Sequence, residues 1–210
     1  MKIIACLPGS SFSTSFMQSW SRLLCRLLRH GINGKKVDID LIYSSGANIH
    51  HVREKCVVES ETMGNSGKPI FWGIDYDYVL WIDSDQVFEP ECFEMLINAD
   101  KDVVAAPIKT LPHGHFNCGF INAEKTGFQK ITEFVENDLL EVDYVGFGFI
   151  LFKRGVFEKL QFPYFKAVKF GAIPGELGED FSFCLRAKEA GIKFYVDPKC
   201  RVLHEKLTQF

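Results

Sequence analysis

Val79-Leu80-Trp81-Ile82-Asp83-Ser84-Asp85-Gln86-Val87-Phe88-Glu89 is the stretch on which the fold turns. Four consecutive apolar residues, with β-branched and aromatic members, predict a strand buried on both faces of a sheet. That strand runs directly into Asp83-Ser84-Asp85. In an extended chain residues i and i+2 point to the same side, so both carboxylates are expected to project together from the carboxyl end of the strand. In open α/β sheets that end is where ligands bind. Two carboxylates converging at an apolar rim repel each other unless a cation lies between them. Oxygen ligands suit Mg²⁺ or Mn²⁺, and metals held this way commonly carry phosphate. The blander reading of the same residues is an Asx turn leading into the next helix.

Working outward from this stretch, the chain alternates strand and helix. Ile3–Leu7 closes on Pro8-Gly9, predicting a first strand and a turn. Phe16, Trp20, Leu23, Leu24, Leu27 and Leu28 recur every three or four residues, an amphipathic helix with a serine at its start and Gly31 at its end. Val37, Ile39 and Leu41 alternate with Asp38 and Asp40, a second strand with one wet face. Asn48 can cap a helix that buries Ile49, Val52, Cys56 and Val57 and carries Arg53. Pro90 suits a first helical position, with Phe93, Leu96 and Ile97 turned inward. Val103–Pro107 is a further strand, so the first half predicts right-handed crossovers and a mostly parallel sheet.

Beyond Pro107 the pattern changes to hairpins or loops through Asn122 and again from Gly127 to Asp138. Tyr144–Phe152 is expected as one strand, in which Gly146 and Gly148 allow close approach of backbone or ligand. Pro163–Gly178 is punctuated by glycine and proline and is expected to be a mobile loop. Glu179-Asp180 opens a helix with Phe181, Cys184 and Leu185 inside and Gly191 as its stop. Lys193–Val196 is the last predicted strand, and only six residues follow His204.

The bulk properties narrow the function. A length of 210 residues fits one domain with a proper core, here divided into residues 1–107 and 108–210. A net charge of −3 and a pI near 6.1 argue against nucleic acid as the main partner. Seven scattered cysteines without a CxxC pair predict reduced thiols in a cytoplasmic protein. No apolar run reaches membrane-spanning length.

An Asp-x-Asp after an apolar strand, a glycine-broken strand, an acidic pair opening a late helix and a closing histidine, in this order, resemble the GT-A glycosyltransferases. The chain looks like their compact inverting members related to family 2, and the resemblance spans nearly its whole length. Val-Leu-Trp-Ile-Asp-Ser-Asp and Gly-Glu-Asp-Phe-Ser-Phe-Cys-Leu-Arg-Ala carry it. The opening also resembles the N-terminal glycosyltransferase domain of a capsid-glycosylating protein of large algal viruses, which would place the chain in the host cytoplasm. The resemblance implies Mn²⁺ or Mg²⁺ and a nucleoside-diphosphate sugar, with UDP as the nucleotide, and a glycan or glycoprotein acceptor. It implies that Asp83 touches the ribose or a metal-bound water, that Asp85 binds the metal, and that His204 is the third ligand. Pro8, Gly9, Ser10, Arg53 and Ser84 would contact the nucleotide, and Gly146 and Gly148 would let backbone approach the sugar. Asp180, or Glu179 in its place, would be the general base of an inverting transfer. The short ending implies either further domains in a longer polypeptide or an acceptor held mainly by Pro163–Gly178.

Rival readings remain at this level. A haloacid dehalogenase-type phosphatase would use Asp83 as a nucleophile, but that motif normally lies on the first strand and here two strand–helix units precede it. A nucleotidyltransferase would want a longer glycine-rich loop than Pro8-Gly9. A non-catalytic nucleotide-sugar-binding module is a further alternative, against which the presence of both Asp85 and Asp180 argues. The pairs Asp38/Asp40 and Asp75/Asp77, and the histidines His50, His51, His113 and His115, are read as solvated.

Overall fold

The computed structural model describes residues 1–59, 69–110, 114–122, 124, 126–135, 138–171 and 175–205. His113, Lys206 and residues 172–174 of the Pro163–Gly178 segment lie outside these. In chain order the elements are β1 (Lys2–Pro8), α1 (Thr14–His30), β2 (Asp38–Ser44), α2 (Ile49–Val57), β3 (Tyr78–Ile82), β4 (Gln86–Phe88), α3 (Pro90–Asn98) and β5 (Val103–Ala105). The second half adds β6 (Cys118–Ile121), β7 (Phe128–Lys130), β8 (Leu140–Val142), β9 (Tyr144–Val145), β10 (Phe149–Lys153), α4 (Glu179–Glu189), β11 (Phe194–Val196) and β12 (Val202–His204).

Seven strands form the central sheet in the order β2-β1-β3-β10-β5-β11-β8. Five run one way, while β10 and β8 run against them. Alternation along β1 and β3 divides the core into two layers, because successive side chains face opposite sides. Ile3, Ala5, Leu7, Leu80 and Ile82 pack with Phe16, Trp20 and Leu23 of α1 and Phe93 and Leu96 of α3. Ile4, Cys6, Val79 and Trp81 pack with Cys56 and Val57 of α2 and Phe183, Cys184 and Ala187 of α4. Both faces are covered, which is why the β3 run is continuously apolar.

Local signals account for the helix ends. The Ser13 hydroxyl accepts the Phe16 N–H at 3.0 Å and Gly31 turns the chain out of α1 with φ of 62°. The Asn48 side chain caps α2 through the His50 N–H, and Pro90 occupies the first turn of α3. No helix among the described residues is long and apolar enough to cross a membrane. All seven cysteines are free thiols, and only Cys25 is exposed.

Several expectations need correction. Leu41 is 46% exposed because β2 is the outer edge of the sheet, and Ile42 faces inward instead. Ile49 is exposed, whereas Arg53 and Glu54 of α2 are buried. Tyr144–Phe152 is two strands in two sheets: β9 pairs with β6, and β10 pairs with β3 and β5. The inner side of α4 is Ser182, Phe183, Cys184 and Ala187, with Phe181 and Leu185 half-buried. The start of Pro163–Gly178 is tied down: the Glu54 carboxylate accepts the Tyr164 and Phe165 N–H groups, each at 2.9 Å. Arg186 donates to the carbonyls of Gln161, Pro163 and Tyr164. The tail after β11 forms β12, antiparallel to β4, with His204 opposite Gln86.

Phe183 is fully buried among Phe147, Phe152, Phe157 and Phe165, with ring centroids 5.1–5.7 Å away. Phe183→Ala is expected to destabilise the fold by about 3–5 kcal/mol, the usual cost of a large aromatic cavity. A denaturant midpoint showing a loss below about 1 kcal/mol would contradict this packing.

Candidate active site

The carboxyl rim of β3 differs in detail from an extended Asp-x-Asp. The chain turns immediately after the strand, with the Gln86 N–H bonding the Asp83 carbonyl at 3.2 Å and the Asp83 N–H bonding the Gly148 carbonyl at 3.0 Å. The i, i+2 rule therefore ends at Asp83, and the two carboxylates do not share partners as the extended reading expects. Asp83 continues the Val79–Trp81 face toward α2 and α4, while Asp85 turns toward β12.

On the α2–α4 side, Arg53 is 3% exposed and gathers three carboxylates. Its Nη2 donates to Asp83 Oδ2 at 3.2 Å and its Nε to Glu179 Oε1 at 3.2 Å, while Asp180 Oδ1 stands 3.8 Å from Nη2. The guanidinium lies against the rings of Trp81 and Phe147, 5.7 and 5.3 Å from their centroids. The Phe147 N–H donates to Asp180 Oδ2 at 3.2 Å. One buried cation thus faces three acids. Burial pushes the Asp83 and Asp180 carboxyls up to about 6, with the Arg53 charge pulling against it. Burial pushes Glu179 the same way, but its hydrogen bond with Asp180 and the Arg53 charge outweigh it and hold Glu179 below the ordinary carboxylate value. Burial likewise opposes the Arg53 charge, and the acids together overcome it, raising its pKa. Three buried atoms here lack a hydrogen-bond partner: Arg53 Nη1, Asp83 Oδ1 and Asp180 Oδ1. Unmet donors and acceptors inside one cluster are what a polar ligand would satisfy.

On the other side, His204 Nε2 is 2.6 Å from Asp85 Oδ2, and Gln86 Nε2 donates to Asp85 Oδ1 at 2.7 Å. The Glu205 N–H donates to the Asp85 carbonyl at 2.8 Å, fixing β12 to the turn. Glu205 Oε1 accepts the Ser15 hydroxyl at 3.1 Å, and its buried Oε2 has no partner. These groups open on a cleft of about 840 Å³ between the start of α1 and β12, lined by Ser11, Ser13, Ser84, Asp85, His204 and Glu205 among others. An oxygen and an imidazole nitrogen are suitable donors for Mn²⁺. Among the described residues no three His, Cys, Asp or Glu side chains converge as a closed metal cage.

The remaining predicted residues fall around this rim. Pro8 is buried at the end of β1 and Ser10 is exposed. The Gly9 N–H bonds the Ser44 carbonyl at 2.9 Å, and a Cβ on Gly9 would stand 2.5 Å from Ser84 Oγ. A Cβ on Gly146 would meet Asn117 Nδ2 at 2.8 Å and Asp180 Oδ2 at 3.3 Å, so this glycine lets the 146–148 turn press against the acid cluster. Gly148 is packed instead against Ile108 and Gln86. Asp75 is ion-paired with Lys2 and Arg154, and Asp77 accepts the Lys2 N–H, so this pair is structural rather than simply solvated. Asp38 and Asp40 are exposed, as expected. His115 bonds Thr110 and Lys130 and is likewise not merely solvated.

Sequence reasoning missed His50. Its Nε2 is 3.8 Å from Glu179 Oε2 and its Nδ1 is 3.2 Å from the Phe165 carbonyl. The i, i+3 spacing of His50 and Arg53 on α2 was the available signal, because such residues share a helix face. Gln86 and Glu205 were missed as well: Gln86 reads as an ordinary strand residue beside Asp85, and Glu205 reaches Asp85 only through the β4–β12 pairing.

No protein-family model matches the chain, and no curated protein matches it by sequence. Solved structures do share its fold, among them the following two. The crystal structure of A197 from STIV superposes with a TM-score of 0.57 at 18% identity, covering 99% of this chain and 87% of that one. The crystal structure of GalNAc-T7 with UDP, GalNAc and Mn²⁺ superposes with a TM-score of 0.58 at 13% identity, covering 99% of this chain. This chain spans 43% of that structure. At these identities the likeness establishes a GT-A-like α/β fold in a single sheet-centred unit.

Proposed function

We propose that the chain is a metal-dependent, inverting glycosyltransferase that moves a sugar from a UDP-sugar to a glycan or other hydroxyl acceptor. The observation that carries this reading is the pair of dissimilar acid sites flanking one strand end. Arg53 with Asp83, Glu179 and Asp180 lies on one side, and Asp85 with His204 on the other. The GT-A-like fold, the Asp-x-Asp and the acidic helix start support it together.

Residues 1–107 would form the nucleotide-binding half and residues 108–210 the acceptor half. Asp85 and His204 would hold Mn²⁺ or Mg²⁺, and a bound dication would neutralise the charge growing on a departing nucleoside diphosphate. Asp83 and the Pro8-Gly9-Ser10 turn would position ribose and base. Asp180 would accept the proton of the acceptor hydroxyl, because a carboxylate with a pKa near 6 is matched to neutral pH. The Phe147 N–H orients Asp180 Oδ2, which leaves Oδ1 for the proton. Glu179 is the weaker candidate for this role, since Arg53 keeps it ionised and occupied. Against the phosphatase reading stands the position of the Asp-x-Asp, which follows β3 rather than the first strand.

A thermal-shift screen of nucleoside-diphosphate sugars tests the donor class. A ligand at about a hundred times its Kd adds roughly 2.7 kcal/mol, or about 5–10 °C in Tm for a chain of this size. The proposal predicts such a rise for a UDP-sugar with Mn²⁺ and its loss on adding a chelator. Equal shifts with and without metal would contradict it.

A further inference from the structure

Gln86 is out of place as a core residue. It is 2% exposed at the start of β4, yet its side chain is polar and only half satisfied. Its Nε2 donates to Asp85 Oδ1 at 2.7 Å, whereas its Oε1 is buried with no hydrogen-bond partner. The amide cannot be reversed, because an ionised carboxylate has no proton to give to Oε1. A buried acceptor left unpaired costs stability, so packing alone favours an apolar side chain here. The backbone nevertheless makes room for the amide: a Cβ on Gly148 would stand 3.3 Å from Gln86 Cδ and 3.4 Å from Nε2. The carboxylate beside it has the opposite character. The Asp85 side chain is 43% exposed, and its Oδ2 is 2.6 Å from His204 Nε2. Asp85 and His204 both line the cleft between the start of α1 and β12. Gln86 and His204 also stand opposite each other in the β4–β12 pair, where opposed residues project to the same face. One carboxylate is thus shared out, Oδ1 to a buried amide and Oδ2 to a histidine.

On the reading that Asp85 and His204 hold a dication, we propose that Gln86 is the positioning residue of that site. Its amide pins Asp85 Oδ1, so that the carboxylate meets the metal through Oδ2 alone, beside the imidazole. The N–H hydrogens of Gln86 carry partial positive charge and repel a dication from Oδ1. Without the pin the carboxylate is free to turn about its own bond, and the site loses its preset direction. A carboxylate restricted to one oxygen suits Mn²⁺ or Mg²⁺, whose near-octahedral shells take single oxygens. Ca²⁺ takes more oxygens and commonly uses both of a carboxylate, so the same amide selects against Ca²⁺. The unpaired Oε1 is the stability given up for this placement.

Mn²⁺ binding to the full chain in the presence of UDP is read directly, as loss of the free-ion electron paramagnetic resonance signal. Gln86→Met, apolar and of similar length, is expected to bind Mn²⁺ about 10–100-fold more weakly than the wild type. The ratio of Mn²⁺ to Ca²⁺ affinity, obtained by competing Ca²⁺ against Mn²⁺, should narrow in the variant. The metal-free variant should melt at or above the wild-type Tm, since the half-satisfied amide is gone and water can serve the exposed Asp85 carboxylate. A Tm below that of the wild type would make Gln86 a packing residue and overturn the proposal. Unchanged Mn²⁺ affinity, or an equal loss for Mn²⁺ and Ca²⁺, would overturn it too. The two readings fail separately. A wild type that binds no Mn²⁺ with UDP removes the dication site and the role of Gln86 with it, whereas wild-type binding matched by Gln86→Met removes the role of Gln86 alone.

Discussion

Asp180→Asn is expected to lower kcat by about 10²–10⁴-fold, the usual contribution of a general base, while leaving UDP affinity within a factor of about three. The substitution keeps shape and the Phe147 hydrogen bond but removes proton affinity. It should also change stability with a definite sign. Asp180 has a folded-state value of about 6 against an ordinary 3.8, so the folded protein holds the proton longer than the unfolded chain does. Stability from this group is complete below about pH 3.8 and is lost as the pH climbs through about 6. The wild type should therefore be more stable relative to Asp180→Asn at pH 4.5 than at pH 7.5, by on the order of 1–3 kcal/mol. Steady-state kinetics and urea titrations at the two pH values check both statements. A variant that transfers sugar at the normal rate would remove Asp180 from the base position.

Arg53→Met is expected to be among the most destabilising single changes in the chain. It leaves three carboxylates buried around an uncharged side chain, and removing one partner of a buried ion pair commonly costs about 3–5 kcal/mol. Asp83 and Asp180 can relieve that cost by taking up protons, so the loss should be smaller at pH 5 than at pH 8. Arg53→Lys should recover only part of the stability, because a single ammonium cannot reproduce the forked bonds to Asp83 and Glu179. Denaturant unfolding at both pH values decides the matter. A loss under about 1 kcal/mol at pH 8, or one independent of pH, would mean that the guanidinium is not the counter-ion of this cluster.

The legibility of these features in the chain itself was uneven, for physical reasons. The β3 run, the helix caps and the strand–helix order depend on neighbours within a few residues, and local periodicity reveals them. The destination of Asp83 and Asp85 does not, because a turn rather than an extended strand follows Ile82 and gives the two carboxylates different partners, Arg53 and His204. Arg53 looks like a solvated helix residue until α4 delivers Glu179 from 126 positions away. Gly146 and Gly148 interrupt the apolar pattern only slightly, yet they mark the place where one predicted strand divides between two sheets. The anchoring of Tyr164 and Phe165 was invisible because Glu54, lying on a helix beside an arginine, gives no hint that its carboxylate binds distant backbone amides. His204 carried meaning only through the family resemblance, since its place beside Asp85 is set by the register of β12 on β4.

The central claim is that Asp85, with His204, holds the dication on which nucleotide binding depends. Titration calorimetry of UDP into the wild type and Asp85→Ala, each with Mn²⁺ and with excess chelator, tests it most directly. The account predicts that the wild type binds UDP only with Mn²⁺ and that Asp85→Ala weakens this binding at least about a hundredfold. Undiminished, Mn²⁺-dependent UDP binding by Asp85→Ala would contradict it.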